Sequence, residues 1–130
     1  MVIARTDEIR SYRDLIVWQK AMDLVDLVYD LADEFPRREQ FGLTSQLTRA
    51  VVSVPANIAE GQARPTAKDF ANFLAIARSS LHETETLLTV AVRRRFVSES
   101  STISAFALSR EISKMLITLR QRILASKRRQ

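Results

Sequence analysis

Two polar residues and a proline interrupt an otherwise apolar helical pattern in the segment QLTRAVVSVPANIAEG, residues 46–61. Pro55 lacks the backbone N–H that a helix interior requires, and a buried Asn57 must find a hydrogen-bond partner. Glu60, and Glu83 in a later segment, add carboxylates that could join Asn57 in a polar site. We favour a structural interpretation, in which these groups fix helix register or a subunit contact, because that use of buried polar groups in bundles is best attested.

The single histidine, His82, is the only imidazole that could act as a general base or metal ligand. Ser79 lies one helical turn before it, and Glu85 lies three residues after it. A di-metal bundle needs two Glu-x-x-His pairs, and a hydrolytic triad needs three groups in convergent geometry. The chain has no cysteine, and its two glycines form no phosphate-binding loop. We therefore expect no enzyme activity, no cofactor and no metal site.

Basic residues concentrate in the second half of the chain. Residues 1–60 carry seven Lys or Arg and ten Asp or Glu, whereas residues 61–130 carry thirteen and five, which gives net charges of −3 and +8. This asymmetry suits contact with nucleic acid, or association between unlike faces of identical chains. A solvated helix end, where cations are favourable, is the alternative for the run at 93–95. The residues predicted to bind nucleic acid are Arg93, Arg94, Arg95, Arg120, Arg122, Lys127, Arg128 and Arg129.

Four long segments position these groups, because apolar residues recur in each at intervals of three and four. We predict helices over about 14–35, 37–60, 66–94 and 99–125, in a single domain of residues 1–130 with a short flexible N-terminus and a basic C-terminal tail. Pro36 stops the first helix, Gly61 ends the second, and Thr66 caps the third. Short connections then predict an all-α, antiparallel up-down-up-down four-helix bundle.

Neither a membrane span nor a signal peptide is predicted. No apolar run approaches the roughly 18–20 residues that cross a bilayer. The segment MVIARTDEIR has acidic residues and no apolar centre. The absence of cysteine is compatible with a reducing compartment. We expect a cytoplasmic protein with no membrane partner.

Several segments resemble a known family: LIVWQKAMDLV, EFPRREQFGLTSQLTRAVVSVPANIAEG, DFANFLAIARSSLHETETLL and EISKML. They resemble the four-helix-bundle proteins encoded in 23S rRNA intervening sequences, and they are similar to the accessory variability protein of diversity-generating retroelements. The resemblance extends from Tyr12 to Leu119. It implies a homo-oligomer, most often a pentamer, without established catalytic activity. The retroelement relatives imply RNA or DNA binding through basic surface and a reverse transcriptase as a partner.

The resemblance also assigns motif positions. By matching segments, it gives structural or motif roles to Pro36, Glu39, Gln46, Arg49, Ser53, Pro55, Asn57, Glu60, Gly61, Glu83 and Glu85. One departure stands out: the family usually follows helix 3 with a glycine-containing turn, where this chain has Arg93-Arg94-Arg95-Phe96. A role for the arginine run is therefore not implied by the resemblance.

The predicted function is a non-catalytic homo-oligomeric scaffold that binds RNA or DNA through its basic surface. A protein-interaction scaffold without nucleic acid is the alternative from another class. An enzyme centred on His82, with Glu83 or Glu60, is the least favoured alternative.

Overall fold

Four α-helices dominate the computed structural model, which describes residues 11–128. A 3-10 turn at Tyr12–Asp14 leads into the first helix, and similar turns at Arg37–Glu39 and Ser100–Thr102 precede the second and fourth. The helices are α1 (Ile16–Ala32), α2 (Leu43–Gln62), α3 (Ala67–Arg93) and α4 (Ile103–Arg128). The expected flexible N-terminus, residues 1–10, and Arg129 lie outside the described residues.

Each helix packs against the next, and α4 returns to pack against α1. The α2–α3 pair makes the most extensive contact. This closed order, with short connections, confirms the predicted all-α four-helix bundle with antiparallel neighbours. Within residues 11–128 no helix has the length and hydropathy of a membrane-spanning segment.

The bundle interior is built from small and medium aliphatic side chains at helical spacing. On α1 the buried stripe is Val17, Ala21, Leu24 and Val28, whereas Met22 and Tyr29 of the neighbouring stripe are 39 % and 44 % exposed. The other helices contribute the fully buried Leu47, Val51, Val54, Ile58, Leu74, Leu81, Leu88, Ile112 and Leu116. Burial of each such side chain contributes about 1.5–3 kcal/mol to the free energy of folding.

Helix α2 begins later than the sequence pattern indicates. The prediction began it at Arg37, but residues 37–39 form a 3-10 turn and the helix begins at Leu43. Gly42 has φ −110° and ψ −113°, which is not helical. The Glu39 carboxylate accepts a hydrogen bond from the backbone N–H of Leu43 at 3.2 Å, so it supplies the cap at the positive end of the helix.

Gly61 does not end α2, which corrects the prediction that it serves as a C-terminal glycine. The helix continues to Gln62, and Gly61 is buried inside its last turn. A Cβ atom at this position would lie 2.6 Å from Cβ of Phe73 and 3.0 Å from Cδ1 of Phe70. Glycine is therefore required here because α3 approaches the α2 backbone too closely for any side chain.

The remaining helix ends differ from the predictions by a few residues. After α1, the N–H groups of Glu34 and Phe35 bond three residues back to Leu31 and Ala32, so the chain tightens before Pro36. Thr66 caps α3 as predicted, accepting from the N–H of Asp69. Helix α4 extends past residue 125 to Arg128, so Lys127 and Arg128 belong to a helix rather than to a tail.

Replacing Gly61 with alanine tests the close approach of α2 and α3. Helix propensity alone predicts that Gly61→Ala stabilises the protein by about 1 kcal/mol. Because the new methyl group would collide with Phe73, we expect the opposite sign, a loss of about 1–3 kcal/mol. Urea unfolding followed by circular dichroism measures the change, and an unchanged or higher midpoint would contradict the steric argument.

Candidate nucleic-acid interface

Five arginines lie at one end of the bundle. Because neighbouring helices are antiparallel, the α1–α2 and α3–α4 connections share this end. The first connection carries Arg37 and Arg38, and the second carries Arg93, Arg94 and Arg95. All five side chains are exposed. We call these five residues the arginine-rich end.

The backbone at Arg95 fixes how the arginine run leaves α3. The N–H of Phe96 bonds to the carbonyl of Ala91, and the N–H of Arg95 bonds to that of Val92, both at 2.9 Å. These two bonds form a Schellman motif, which needs one residue in the left-handed conformation. Arg95 occupies that position with φ 64°, the only described non-glycine residue with positive φ. Glycine is the usual residue there, because a side chain costs about 1 kcal/mol.

Phe96 anchors the second connection to the first. Its ring lies 5.8 Å from that of Phe35, centroid to centroid. The guanidinium carbon of Arg38 lies 5.6 Å from the centroid of the Phe96 ring, within cation–π distance. Arg38 is therefore held next to the run that begins at Arg93, although 55 residues separate them in sequence.

The charges of the arginine-rich end are not neutralised by ion pairs. No carboxylate among the described residues forms an ion pair with any of its five guanidinium groups. Asp33, Glu34 and Glu99 lie in or beside the same connections but are exposed, and Glu39 is engaged at the start of α2. The guanidinium groups at this end are thus available to external anions.

The other predicted basic residues lie at the opposite end. Arg120 donates through Nε to the carbonyl oxygen of Ala71, at 3.2 Å, near the start of α3. Twenty-two residues of helix separate Ala71 from Arg93, or about 33 Å along the axis. Arg122 lies beside Leu15 at this same end, and α4 continues there through Lys127 and Arg128. The structure therefore divides the predicted basic residues into two groups.

The polar residues of the 46–61 segment belong to the α2–α3 interface. Asn57 donates through Nδ2 to both the carbonyl and the hydroxyl oxygen of Ser53, each at 2.8 Å. The hydroxyl of Ser53 lies 2.9 Å from that of Ser80 on α3. Pro55 is buried within the same helix. The serine pair spans the two helices, as expected of a group that fixes their register.

The two glutamates expected beside Asn57 do not join it. Glu60 and Glu83 are exposed, and neither carboxylate has a hydrogen-bond partner among the described residues. Glu85 instead accepts a hydrogen bond from the hydroxyl of Ser109 on α4, at 2.6 Å. Gln46 and Arg49 are exposed on α2. Of the predicted group, only Asn57 therefore takes part in a network between α2 and α3, and the contact of Glu85 with α4 is a separate one.

His82 lies on the exposed side of α3, next to the exposed Glu83. Within the described part of the chain, no three His, Cys, Asp or Glu side chains come together as a metal site would require. Ser79 is exposed one turn away and has no hydrogen bond to His82. The described residues therefore do not assemble a nucleophile–base pair around this histidine.

Comparison with known proteins identifies the family. Residues 13–118 match the family described as 23S rRNA-intervening sequence protein. The chain belongs to this family. Among solved structures, it is similar to a protein of unknown function from the S23 ribosomal protein family of Bacteroides thetaiotaomicron VPI-5482. That similarity has a TM-score of 0.74 and 27 % identity, and covers 81 % of this chain and 98 % of the other. No curated protein matches the chain.

The geometry explains part of what the family motifs encode. In the first connection Pro36 precedes the 3-10 turn, Glu39 caps α2, and Gly42 leaves the helical conformation just before it. At the end of α2, Gly61 permits contact with Phe73. These residues shape the start of α2 and the α2–α3 contact in this chain, and their place in a family motif rests on the resemblance stated from the sequence. The similarity to the accessory variability protein stays a prediction.

Sequence reasoning missed Arg37 and Arg38 as companions of the arginine run. Only the predicted topology could have indicated this proximity, because an up-down-up-down bundle brings its first and third connections to the same end. The contact between Arg38 and Phe96 depends on how the α3–α4 turn closes, and no spacing rule predicts it.

Substituting Arg95 tests whether a non-glycine residue at this positive φ lowers the free energy of unfolding. We expect Arg95→Gly to raise the free energy of unfolding by about 1 kcal/mol, because glycine adopts positive φ without strain. Arg94→Gly is the matched control, because it removes the same charge from a residue with φ −81°. Glycine gains nothing at this negative φ and loses more conformational entropy on folding, so we expect a destabilisation of about 0.5–1 kcal/mol. Thermal and urea unfolding measure both, and equal effects of the two substitutions would contradict the prediction.

Proposed function

We propose that this protein is a non-catalytic, homo-oligomeric cytoplasmic scaffold that binds RNA or DNA through its basic surface. The observation that carries the proposal is the arginine-rich end, where five exposed guanidinium groups lack ion-pair partners within the described residues. The strained conformation of Arg95 supports it, because a costly backbone geometry at a charged residue is typical of functional positions.

The chemistry of this surface favours contact with phosphate over reading of bases. Arginine offers five N–H donors in a planar fork that matches phosphate oxygens. Phe96, the aromatic residue of the α3–α4 connection, is partly buried and contacts both Phe35 and Arg38. Binding through such a surface depends on the release of counterions and therefore weakens as salt concentration rises.

Self-association would add to this binding, since every subunit would repeat the arginine-rich end. Exposed apolar side chains support assembly. Phe41 in the α1–α2 connection is 90 % exposed, and Tyr29 in the last turns of α1 is 44 % exposed. Large side chains of this kind at one end of a monomer favour contact with another chain. The homopentamer itself rests on the resemblance stated from the sequence.

The first prediction from this proposal concerns the arginine run. Titrating labelled structured RNA at several salt concentrations should give log–log plots of affinity against salt with a clear negative slope. The triple variant Arg93→Ala/Arg94→Ala/Arg95→Ala should make that slope less negative by about 2–3. Each lost phosphate contact decreases the magnitude of the slope by roughly 0.7–0.9. Arg49→Ala/Arg110→Ala/Lys114→Ala removes the same charge from exposed positions elsewhere and should change the slope much less.

Two results would refute nucleic-acid binding at the arginine-rich end. One is the absence of affinity for RNA and DNA at low salt, which would leave the protein-interaction scaffold as the better account. The other is an equal effect of the two triple variants, which would show that binding depends on the net charge of the protein and not on the position of these arginines.

The second prediction concerns assembly. Light scattering should give a mass of several times the 14.8 kDa chain, five times for a pentamer. Tyr29→Glu/Phe41→Glu should lower that mass, because burial of charged carboxylates in a contact is unfavourable. Tyr29→Phe/Phe41→Tyr keeps both rings and should retain it. A wild-type mass of 14.8 kDa at all concentrations would exclude the oligomer.

A further inference from the structure

A groove of about 430 Å³ runs between α3 and α4, away from the arginine-rich end. Its polar lining comprises Arg78, Ser79 and His82 from α3, with Arg120 and Gln121 from α4. Leu74, Ala75, Leu116 and Ile117 supply an apolar surface beside them. The volume lies within the range of about 300–1,000 Å³ that small-ligand sites occupy.

The two arginines of the groove are held in place from opposite helices. Arg78 reaches from α3 and donates through Nε to the hydroxyl of Ser113 on α4, at 3.1 Å. Arg120 reaches from α4 and donates through Nε to the carbonyl of Ala71 on α3, at 3.2 Å. Each hydrogen bond joins α3 to α4, and the α3 residues of the two bonds are seven positions apart, or about 10 Å.

Anchoring through Nε leaves the outer edge of each guanidinium group available. Neither the Arg78 nor the Arg120 Nη atoms form a hydrogen bond with any described residue. Among residues 11–128, no carboxylate lines the groove. Two fixed cations with free donors and no counter-charge constitute a site that is preorganised for an oxyanion.

The remaining lining indicates what the oxyanion is attached to. The Ser79 hydroxyl, the His82 imidazole and the Gln121 amide each offer hydrogen-bonding groups at the side of the groove. Ile117 is 38 % exposed, so an apolar surface is also open there. A nucleotide can use the cationic, the polar and the apolar parts of this lining, through its phosphate, its sugar and its planar base. A carboxylate side chain would use only the arginines.

We propose that this groove binds one nucleotide unit of a single-stranded nucleic acid, with Arg78 and Arg120 contacting its phosphate. The unpaired base or sugar lies against Ile117 and bonds to Gln121 or Ser79. A base inside a duplex is paired and stacked and does not enter such a groove, so the site selects unpaired segments. This inference rests on the proposed function, which it extends to a second site at a different place on the bundle.

The test is a fluorescence anisotropy titration with a short, unstructured, labelled RNA, and with the same RNA annealed to its complement. We expect Arg78→Ala/Arg120→Ala to weaken binding of the single strand about tenfold or more, and binding of the duplex much less. Arg49→Ala/Arg110→Ala is the matched control, since it removes two exposed arginines outside the groove. Circular dichroism melting verifies that both variants are folded.

The outcomes separate this inference from the proposed function. If the arginine run affects affinity but the groove variant behaves like its control, the groove site is wrong and the proposed function stands. If the groove variant alone weakens single-strand binding, the groove site is supported and the arginine-rich end is wrong. A groove variant that loses oligomeric mass would assign the groove to a subunit contact, which overturns the site. No binding of any RNA at low salt overturns both.

Discussion

The close approach of α2 and α3 is the constraint on which the bundle depends. At Gly61 the two helices come so near that a single added carbon would lie 2.6 Å from Phe73. Two turns earlier on α2, Ser53 lies 2.9 Å from Ser80 on α3, and Asn57 holds Ser53 from its own helix. A steric contact and a hydrogen bond thus fix both the spacing and the register of the most extensive helix pair. With α2 and α3 set in this way, α1 and α4 complete a closed interior of Leu, Val and Ile side chains.

Alternation of helix direction then determines where charge collects. Connections one and three meet at the arginine-rich end, where Phe96 contacts both Phe35 and Arg38. The start of α3 and the end of α4 meet at the other end, where Arg120 crosses to Ala71. The arginine-rich end joins two connections that are distant in sequence, whereas the cations of the other end follow one another along α4. The distribution of charge on the surface therefore depends on the order and direction of the helices as well as on the amino-acid composition.

The sequence predicted the helices, their order and the family, because apolar spacing and long motifs are local signals. The prediction of the start of α2 was wrong, because residues 37–42 have a helix-like sequence. In the structure Glu39 instead caps the helix from outside, and Gly42 has a non-helical backbone just before it begins. The prediction also gave Gly61 a role as a helix stop, because a close contact with α3 leaves no trace in the α2 sequence. It grouped Asn57 with Glu60 and Glu83, whereas the partners are serines, whose hydroxyls pair only once helix register is known. The arginines of both surfaces share this dependence on tertiary structure.

The Schellman turn at Arg95 has a consequence for the entropy of binding. Two backbone hydrogen bonds at 2.9 Å and the packing of Phe96 on Phe35 hold the peptide segment that carries the three arginines. A ligand at this surface would need to order only the flexible side chains, at about 0.5–1.5 kcal/mol for each one immobilised. A disordered basic tail of the same charge would lose backbone freedom as well, at about 1–2 kcal/mol per residue. Arginines on a fixed turn therefore retain more of their electrostatic attraction as net affinity than the same residues on a flexible chain.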